Sequence, residues 1–224
     1  MKLRFLDLTT TDPAFNLAAE EYVFEKLPRD AMYVMLWQND NAIIIGKHQN
    51  TLAEINESYV KERNIKVVRR LSGGGAVYHD LGNLNYTIIA DAQEDSLDFG
   101  RFCDMVIRAL AKAGVQAERN GRNDMTIDGK KFSGNAQYVR NGRIMHHGTI
   151  LFDSDMSVLA GALQVDPSKI QAKGIKSVRS RVTNVRPCLP RDLTLEQFRA
   201  FLLESILEEF PGEAYELTQE DLAA

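Results

Sequence analysis

The chain has 224 residues, a formal net charge of −4 and a hydrophobic share of 44%, which fits one large domain, or one and a half small ones, with a sizeable core. The weakly acidic balance excludes a protein that coats nucleic acid, because such a protein needs excess positive charge. The N-terminus lacks the apolar core of a signal peptide, and no apolar run approaches the roughly 20 residues that span a bilayer. We therefore expect a cytoplasmic protein with neither a nucleic-acid nor a membrane partner.

Two helices are predicted in the first third of the chain. Asp12-Pro13 is typical of a helix N-cap followed by proline in the first turn, and this helix is expected to run to about Leu27. Thr51 and Glu54 have capping-box spacing, which predicts a second helix that ends at Asn64.

Strands are predicted around these helices. Tyr33 to Gln38 and Ala42 to Gly46 are expected to form a hairpin, because the polar residues Asn39-Asp40-Asn41 between them favour a turn. The other strand-like runs in this half of the chain are Leu3 to Leu8, Ile65 to Val68 and Asn85 to Ile89.

Hairpins dominate the second half of the chain. Asp128-Gly129 and Asn141-Gly142 are strong two-residue hairpin turns, which predicts three antiparallel strands around them. Further predicted elements are a helix from Leu97 to Ala113, a strand from Val115 to Glu118, a helix beginning at Asp155 and a helix from Thr194 to Phe210. Strands outnumber helices without regular alternation, which favours an α+β domain with a mixed, mostly antiparallel sheet flanked by helices.

The segment from Arg69 to Asp80 carries the strongest functional signal. It contains two arginines, a serine, three consecutive glycines and a histidine. Glycine permits close approach of the backbone to a ligand, and arginine offers a fork of N–H donors suited to phosphate or carboxylate. We interpret the segment as a loop that cradles an anionic ligand. The structural alternative is a tight hairpin beside surface charge, although that would need one or two glycines at most.

Further clusters are compatible with an anion site. Lys130 and Lys131 follow a hairpin turn and face opposite ways on a strand, so one of them can act as a point charge against phosphate or carboxylate. Asp124 is either part of an Asx-turn at a hairpin entrance or a carboxylate for Mg²⁺ bound to a nucleotide. His146 and His147 also face opposite ways, which disfavours a shared metal ion; either ring alternatively packs and donates to the backbone.

Together these motifs resemble those of the lipoate–protein ligase A family. The matching blocks are Arg69–Asn83, Gly121–Asp124, Lys131–Ala136, His146–Thr149 and Lys173–Asn184, which cover nearly the whole chain in the family's order. The resemblance implies a biotin/lipoate-ligase-type catalytic domain that activates lipoate with ATP to lipoyl-AMP and then transfers the lipoyl group to a lysine. It implies ATP and Mg²⁺ as cofactors and lipoate as substrate. The implied acceptors are lipoyl domains, namely 2-oxoacid dehydrogenase E2 subunits and the glycine cleavage H protein.

The resemblance also implies roles for individual residues. Lys131 is the implied catalytic lysine, which holds the carboxylate and the α-phosphate in line. The implied ATP- and adenylate-binding residues are Arg70, Gly75, Ala76, Val77, Tyr78, Asn83, Lys131, Lys173, Val178, Arg179 and Val182. The implied lipoate-binding residues are Arg70, Ser72, Gly73, Gly74, His79, Lys131, His147 and Gly148. Asp124 is the candidate ligand for the Mg²⁺ that accompanies ATP.

The expected domain organisation follows the same resemblance. Residues 1–190 are expected to form the catalytic domain, with an adenylate-binding loop at about 165–184. Residues 191–224 are expected to form a C-terminal helix and the start of a connection to an accessory domain. Full-length family members usually carry that domain, so we expect either a truncated chain or a separately encoded accessory protein.

Three alternative functions stay open. The first is an octanoyl or lipoyl transferase that uses a cysteine thioester, which is disfavoured because neither Cys103 nor Cys188 lies near the Lys131 and His147 blocks. The second is transfer from supplied lipoyl-AMP without adenylation. The third is a non-catalytic lipoate-binding module.

Overall fold

The computed structural model describes residues 2–92, 99–163 and 182–223. The described strands are β1 (Leu3–Asp7), β2 (Met32–Trp37), β3 (Ala42–Ile45), β4 (Lys66–Arg69), β5 (Val77–His79), β6 (Asn83–Asp91), β7 (Glu118–Asn120), β8 (Asp124–Ile127), β9 (Lys130–Arg140), β10 (Arg143–Leu151) and β11 (Gly212–Ala214). The described helices are α1 (Pro13–Glu25), α2 (Thr51–Glu54), α3 (Glu57–Glu62), α4 (Phe99–Lys112), α5 (Met156–Ala162), α6 (Leu195–Glu209) and α7 (Gln219–Ala223), with a short 3₁₀ turn at Arg186–Cys188.

The strands of the described part form two sheets. The larger sheet has the order β11-β1-β2-β6-β10-β9-β8-β7; β1 runs parallel to its neighbours β11 and β2, and the remaining pairs are antiparallel. In the smaller sheet, β3 pairs parallel with β4 and antiparallel with β5. The predicted α+β class with a mixed, mostly antiparallel sheet is confirmed.

The two hairpin turns predicted in the second half of the chain are both present. Asp128, Gly129, Asn141 and Gly142 have φ angles of 50°, 70°, 51° and 69°, the positive values that a type I′ turn requires. These turns set the pairing of the strand residues next to them, and the β8–β9 pair then shifts register between Thr126 and Met125. As a result, Lys131 lies at the start of β9 and the two adjacent histidines lie in the middle of β10.

The hairpin predicted for β2 and β3 is wrong. β2 pairs with β1 and β6 in the larger sheet, whereas β3 lies in the smaller sheet. Every residue of both strands is buried, so each strand is covered on both faces. Such strands show no alternation of apolar and polar residues, and the turn-like residues between them do not reveal which strands they pair with. The Asn39–Asn41 connection therefore crosses from one sheet to the other.

Two smaller predictions also need correction. The helix expected from Thr51 to Asn64 is two short helices, because Ile55 adopts an extended conformation and pairs with Leu163. The side chain that caps α2 belongs to Asn50. The strand expected at Val115 to Glu118 begins at the last of these residues and continues to Asn120 as β7.

Helices and the smaller sheet cover the two faces of the larger sheet. On one face, α4 and α6 pack through Phe102 and Phe198. On the other face, α1 and the smaller sheet pack through Leu17 and Ile44, and the functional cavity lies in this layer. Within the described ranges, no helix is both long and apolar enough to cross a membrane.

Helix α1 begins where the sequence predicts it. The Asp12 side chain accepts hydrogen bonds from the backbone N–H groups of Ala14 and Phe15, which leaves fewer unpaired donors in the first turn. The buried face of this helix carries two polar residues, Asn16 and Glu20. Because buried polar groups need partners, these two side chains connect α1 to the functional site.

Candidate functional site

A cavity of about 160 Å³ lies between the two sheets, beside the glycine-rich loop. The residues of its wall that were predicted from the sequence are Arg70, Gly74, Gly75, Ala76, Val77, His79, Lys131, His147 and Gly148. They come from the loop, β5, β9 and β10, which are distant in sequence. The structure therefore brings the separate motifs together around one cavity.

The residues of the cavity wall differ in exposure and charge. The Lys131 side chain is 39% exposed, and its Nζ lies 2.7 Å from Oδ1 of Asp124. Trp37 and Ile44, in contrast, are each 2% exposed. A partly exposed cation together with buried apolar wall residues suits a ligand with an anionic group and an apolar part.

Lys131 contacts a glycine on its own strand and the backbone of a segment that follows β10 in the chain. An atom at the Cβ position of Gly134 would lie 2.9 Å from Nζ of Lys131, so the lysine folds back over a residue without a side chain. The backbone of Lys131 also forms an isolated parallel bridge with Val182, and its carbonyl accepts from the N–H of Thr183 at 2.8 Å. Val182 thus lies beside the backbone of Lys131, and its contact with the adenylate stays a prediction. The predicted residues Lys173, Val178 and Arg179 lie outside the described residues.

Arg70 organises the glycine-rich loop from within. Its Nη2 donates to the carbonyls of Gly73 and Gly75, both at 2.8 Å, and its Nε donates to Oγ of Ser72 at 3.0 Å. A fourth N–H donates to the carbonyl of Ile44 at 3.1 Å. Burial lowers the pKa of Arg70 to about 10, so the guanidinium stays charged at neutral pH. Arg70 brings a fixed positive charge to the cavity while most of its donors hold the loop.

A chain of buried hydrogen bonds runs from the larger sheet to the loop. Trp37 Nε1 donates to Oγ1 of Thr87 at 2.9 Å, and this hydroxyl donates to Oε1 of Glu20 at 2.5 Å. Nδ1 of His147 lies 2.8 Å from the same carboxylate oxygen, and its Nε2 lies 2.6 Å from Oγ of Ser72. With Nδ1–H donating to Glu20, Nε2 accepts from the serine hydroxyl.

The Ser72–His147–Glu20 arrangement has the connectivity of a hydrolase triad, but its environment is different. Ser72 is 1% exposed and is absent from the wall of the cavity. Its oxygen already accepts a hydrogen bond from Arg70. We infer a positioning role, in which Glu20 orients His147 and His147 orients the base of the loop.

Several predicted residues lie beside the cavity and do not line it. Tyr78 lies on the other face of β5, where it packs with Ile43 and Ile45, and its hydroxyl donates to Oδ1 of Asn41 at 3.0 Å. Asn83 is buried and donates to Oδ1 of Asn85 at 2.9 Å. Like these two, Ser72 and Gly73 are absent from the wall; both belong to the loop and accept hydrogen bonds from Arg70.

Other wall residues had no binding role assigned from the sequence, although Asn123, Gly134, Ala136 and Thr149 lie in the matching motif blocks. They are Leu17, Trp37, Ile44, Asn85, Asn123, Gly134, Asn135, Ala136 and Thr149. Glu20, which touches His147 behind the wall, was also missed. One signal was available: Asn16 and Glu20 are one helical turn apart, on a face of α1 that also carries apolar residues, and polar residues on such a face need buried partners.

The cavity contains no thiol and no ready-made metal centre in the part of the chain that the structure describes. Cys103 is 1% exposed in the core beneath α4, and Cys188 lies in the 3₁₀ turn. No group of three or more histidine, cysteine, aspartate or glutamate side chains among the described residues is arranged for a metal ion. Asp124 is the carboxylate beside Lys131, and one carboxylate together with phosphate oxygens and water is a usual environment for Mg²⁺.

Comparisons with known proteins agree with this geometry. Residues 12–207 match the family model described as the lipoyl protein ligase A/B catalytic domain. The chain is 52% identical over 196 residues to lipoate-protein ligase LplJ of Bacillus subtilis, an alignment that covers 87% of this chain and 59% of that protein. This chain thus spans about three fifths of the length of that curated relative.

Solved structures to which this chain is similar are also lipoate protein ligases. A bipartite lipoate protein ligase from Thermoplasma acidophilum, analysed with its E2 lipoyl domain, superposes with a TM-score of 0.86 at 30% identity, covering 100% of this chain and 90% of that one. A lipoate-protein ligase A bound with ATP superposes with a TM-score of 0.85 at 27% identity, covering 100% of this chain and 92% of that one. The chain belongs to the lipoyl protein ligase A/B catalytic domain family.

Proposed function

We propose that this chain carries the catalytic site of a lipoate–protein ligase. In the first step, a carboxylate oxygen of lipoate attacks the α-phosphorus of ATP, the bond to the leaving pyrophosphate breaks, and lipoyl-AMP forms. In the second step, a lysine amine of an acceptor domain attacks the lipoyl carbonyl, AMP leaves, and an amide bond forms. The observation that carries this proposal is the partly exposed Lys131 in the wall of a cavity that also contains the buried cation Arg70 and the buried apolar residues Trp37 and Ile44.

The first step brings two anions together, so fixed positive charge is the main resource that the protein can supply. Lys131 and Arg70 both line the cavity. Lys131 would hold the carboxylate and the α-phosphate in line, while Arg70 contributes a charge that is already fixed by the loop. The backbone of Gly75 to Tyr78 is the proposed adenylate contact, and because the Tyr78 side chain faces away, we expect it to contribute through its main chain.

The loop and β10 provide the proposed lipoate contacts. Gly74, His79, His147 and Gly148 line the cavity, and Ser72 and Gly73 support them from behind. Asn83 would act indirectly through its hydrogen bond to Asn85, which lines the wall.

Mg²⁺ would reach the site with ATP, and Asp124 is the residue that would hold it. The ion would neutralise phosphate charge as the pyrophosphate leaves. Asp124 is at present paired with Lys131, so binding of a nucleotide and its metal would free the lysine for the reacting anions.

In the transfer step the acyl group is already activated, so positioning of the incoming amine is the main requirement. Lipoyl domains of 2-oxoacid dehydrogenase E2 subunits are the acceptors that the Thermoplasma relative supports; the glycine cleavage H protein is a further proposed acceptor. The proposed adenylate-binding loop comprises residues at about 165–184, of which the structure describes only 182–184. An accessory domain or protein is a proposed additional partner for adenylation.

The deciding experiment incubates the chain with lipoate, Mg-ATP and an E2 lipoyl domain, and mass spectrometry follows the acceptor. A parallel reaction receives lipoyl-AMP in place of lipoate and ATP. Modification in both reactions supports a complete ligase, and modification with lipoyl-AMP alone supports a transfer domain that needs an accessory protein. No modification in either reaction would refute the proposal.

Lys131→Ala tests the assigned role of the lysine. We expect lipoyl-AMP formation to fall by at least about a hundredfold, because a charge that holds the reacting groups is lost. The melting temperature should change little, since the side chain is partly exposed. Lys130→Ala is the matched control: the neighbouring lysine is exposed and should be dispensable for adenylation. Near-normal adenylation by Lys131→Ala would refute the assignment.

A further inference from the structure

The first residues of β9 extend past the end of its pairing with β10. This pairing ends at Asn135, whereas the pairing of β9 with β8 continues to Lys130. On the side of β9 that β10 leaves open, Lys131 forms its parallel bridge with Val182, and its carbonyl accepts from the N–H of Thr183 at 2.8 Å. The segment that contains Thr183 thus takes the place of β10 beside the proposed catalytic lysine.

The pairing on the other side of Lys131 is irregular. Met125 pairs with Ser133 and Thr126 pairs with Lys131, so Phe132 has no partner on β8. An extra residue of this kind, a β-bulge, bends the strand and disrupts the regular ladder. The bulge leaves the backbone of Lys131 less constrained from the β8 side, and the segment on the opposite side supplies a second constraint.

Asn184 anchors the segment that pairs with Lys131. Its Nδ2 donates to the carbonyl of Ser154 at 3.0 Å, and its Oδ1 accepts from the N–H of the same residue at 3.1 Å. The orientation of the amide is fixed, because a carbonyl can only accept and an N–H can only donate. Two residues of an antiparallel pair exchange both hydrogen bonds in the same way. Because Asn184 directly follows Thr183, this contact sets where the Thr183 N–H meets Lys131.

Ser154 is in turn attached to the loop between β5 and β6. The carbonyl of Gly82 in this loop accepts from the N–H of Asp153 at 2.8 Å, and a Cβ atom at Gly82 would overlap the carbonyl of Asp153. Oδ2 of Asp80 in the same loop accepts from the N–H of Asp155 at 2.7 Å. The residues on both sides of Ser154 are therefore bonded to the loop that follows β5.

We propose that Asn184 is a positioning residue that couples Lys131 to β5, the strand that follows the glycine-rich loop. This inference rests on the proposed function and extends it to a residue without an assigned role. The loop after β5 holds Ser154, Ser154 holds Asn184, and the residue before Asn184 holds the carbonyl of Lys131. The backbone of β5 and the Lys131 amine are two proposed contacts of the adenylate. The connection keeps them at a fixed separation, which matters because displacements of about 1 Å weaken such sites.

A double-mutant cycle tests whether Asn184 acts through Lys131. The probe is lipoyl-AMP, and calorimetric titration measures its affinity for the wild-type chain, both single variants and the double variant. We expect Lys131→Ala to weaken binding about ten- to a hundredfold, the range of one hydrogen bond to a charged group. Asn184→Ala should weaken it about three- to tenfold, because a displaced lysine keeps part of its contact.

The effect of Asn184→Ala should disappear when the lysine is absent. In the Lys131→Ala background we expect the second substitution to change the affinity by about onefold, since coupled residues are not additive. A general defect in folding, or a direct contact of Asn184 with the ligand, does not require the lysine. The same loss in both backgrounds would therefore overturn the proposal.

Two further variants separate the amide contact from a loss of stability. Asn184→Asp keeps an oxygen that accepts from Ser154 but places a carboxylate against the Ser154 carbonyl, so it should weaken binding at least as much as Asn184→Ala. Asn56→Ala is the matched control, because it removes a side chain that accepts from the N–H of Tyr59 at the start of α3. It should lower stability and keep wild-type affinity. Wild-type affinity in Asn184→Asp, or an equal loss in Asn56→Ala, would overturn the proposal.

Amide hydrogen exchange tests the same contact in the unmodified chain. The Thr183 amide should exchange slowly because its N–H is bonded to the Lys131 carbonyl, and Asn184→Ala should accelerate this exchange. Exchange of Thr183 in the wild-type chain at the rate of an unprotected amide would overturn the proposal. If the wild-type chain does not bind lipoyl-AMP, the proposed function itself fails. That result is distinct from tight binding with equal losses in both backgrounds, which removes only the role of Asn184.

Discussion

At the scale of single residues, the site depends on where one amine is held. Lys131 lies over Gly134, with Nζ 2.9 Å and Cε 3.0 Å from the position that a Cβ atom at residue 134 would occupy. The end of the lysine side chain is flexible, so it can move away from an added atom at a small cost in folding free energy, whereas a backbone group could not. A side chain at residue 134 would therefore move the amine without disrupting the strand.

Gly134→Ala is expected to lower the rate of adenylation while leaving the free energy of unfolding nearly unchanged. The added methyl group displaces the Lys131 amine by a fraction of an ångström to about 1 Å, and misplacement on this scale reduces rates by about ten- to a hundredfold. ATP–pyrophosphate exchange measures the loss. The free energy of unfolding, measured in urea, should stay within about 1 kcal/mol of wild type, because alanine restricts the unfolded chain more than glycine does. Unchanged exchange would contradict the assigned position of the lysine.

At the scale of elements, the glycine-rich loop is supported by the end of β3. A Cβ atom at Gly46 would lie 2.2 Å from the carbonyl oxygen of Gly74 and 3.3 Å from Nη2 of Arg70. Gly74 has a φ of 97°, a conformation that favours glycine. The two backbones thus pack directly against each other, and Arg70 closes the contact.

Gly46→Ala should push the loop away from β3. The contact is with backbone, so relief requires movement of the loop, and overpacking of this kind costs about 1–3 kcal/mol. We expect a lower free energy of unfolding in urea and weaker binding of lipoyl-AMP. Gly73→Ala is the stability control, because a Cβ atom there meets nothing within 4 Å. Equal stability of the two variants would contradict the packing described here.

Local signals in the sequence predicted where strands and turns occur better than they predicted which strands pair with each other. Asp128-Gly129 and Asn141-Gly142 specify their turns through positive φ, so the β8–β9–β10 ladder was predictable. The assignment of β2 and β3 to different sheets was not, because both strands are apolar on both faces and their pairing depends on residues far along the chain. The helix break at Ile55 likewise depends on its pairing with Leu163.

The same limit applies to the site. The loop residues and Lys131 carry recognisable motifs, whereas Trp37, Glu20 and Asn85 reach the site through the packing of α1, β2 and β6. Their chemistry is visible in the sequence, but their proximity arises from the stacking of two sheets. Long-range packing, rather than local pattern, decides that part of the site.

At the scale of the whole molecule, two buried histidines, one on each face of the larger sheet, make the free energy of unfolding depend on pH. His79 lies between the two sheets, and His146 packs against Phe102 on the opposite face of the larger sheet at a centroid distance of 5.1 Å. Burial is the main cause that lowers the pKa of each to about 3, from the usual 6.5. Nδ1 of His146 accepts from Nε2 of Gln137 at 2.8 Å, consistent with a neutral ring.

Both histidines should make the fold less stable as the pH falls. The unfolded chain takes up a proton at each histidine near pH 6.5, whereas the folded chain resists protonation until about pH 3. Stability therefore does not depend on these groups above pH 6.5. Below it, the free energy of unfolding should fall by up to about 1.4 kcal/mol per pH unit for each histidine. Urea unfolding between about pH 7 and pH 5.5 stays above the ordinary pKa range of carboxyl groups, which keeps their contribution small.

His146→Gln assigns the slope to a residue. Glutamine does not titrate, so the variant should lose about half of the histidine-dependent slope, whatever its stability at pH 7. His48→Asn, at an exposed position, should keep the wild-type slope because the substituted side chain lies outside the core. If His146→Gln and wild type show the same pH dependence, the neutral buried state of His146 is wrong, and acid sensitivity of the fold must come from another group.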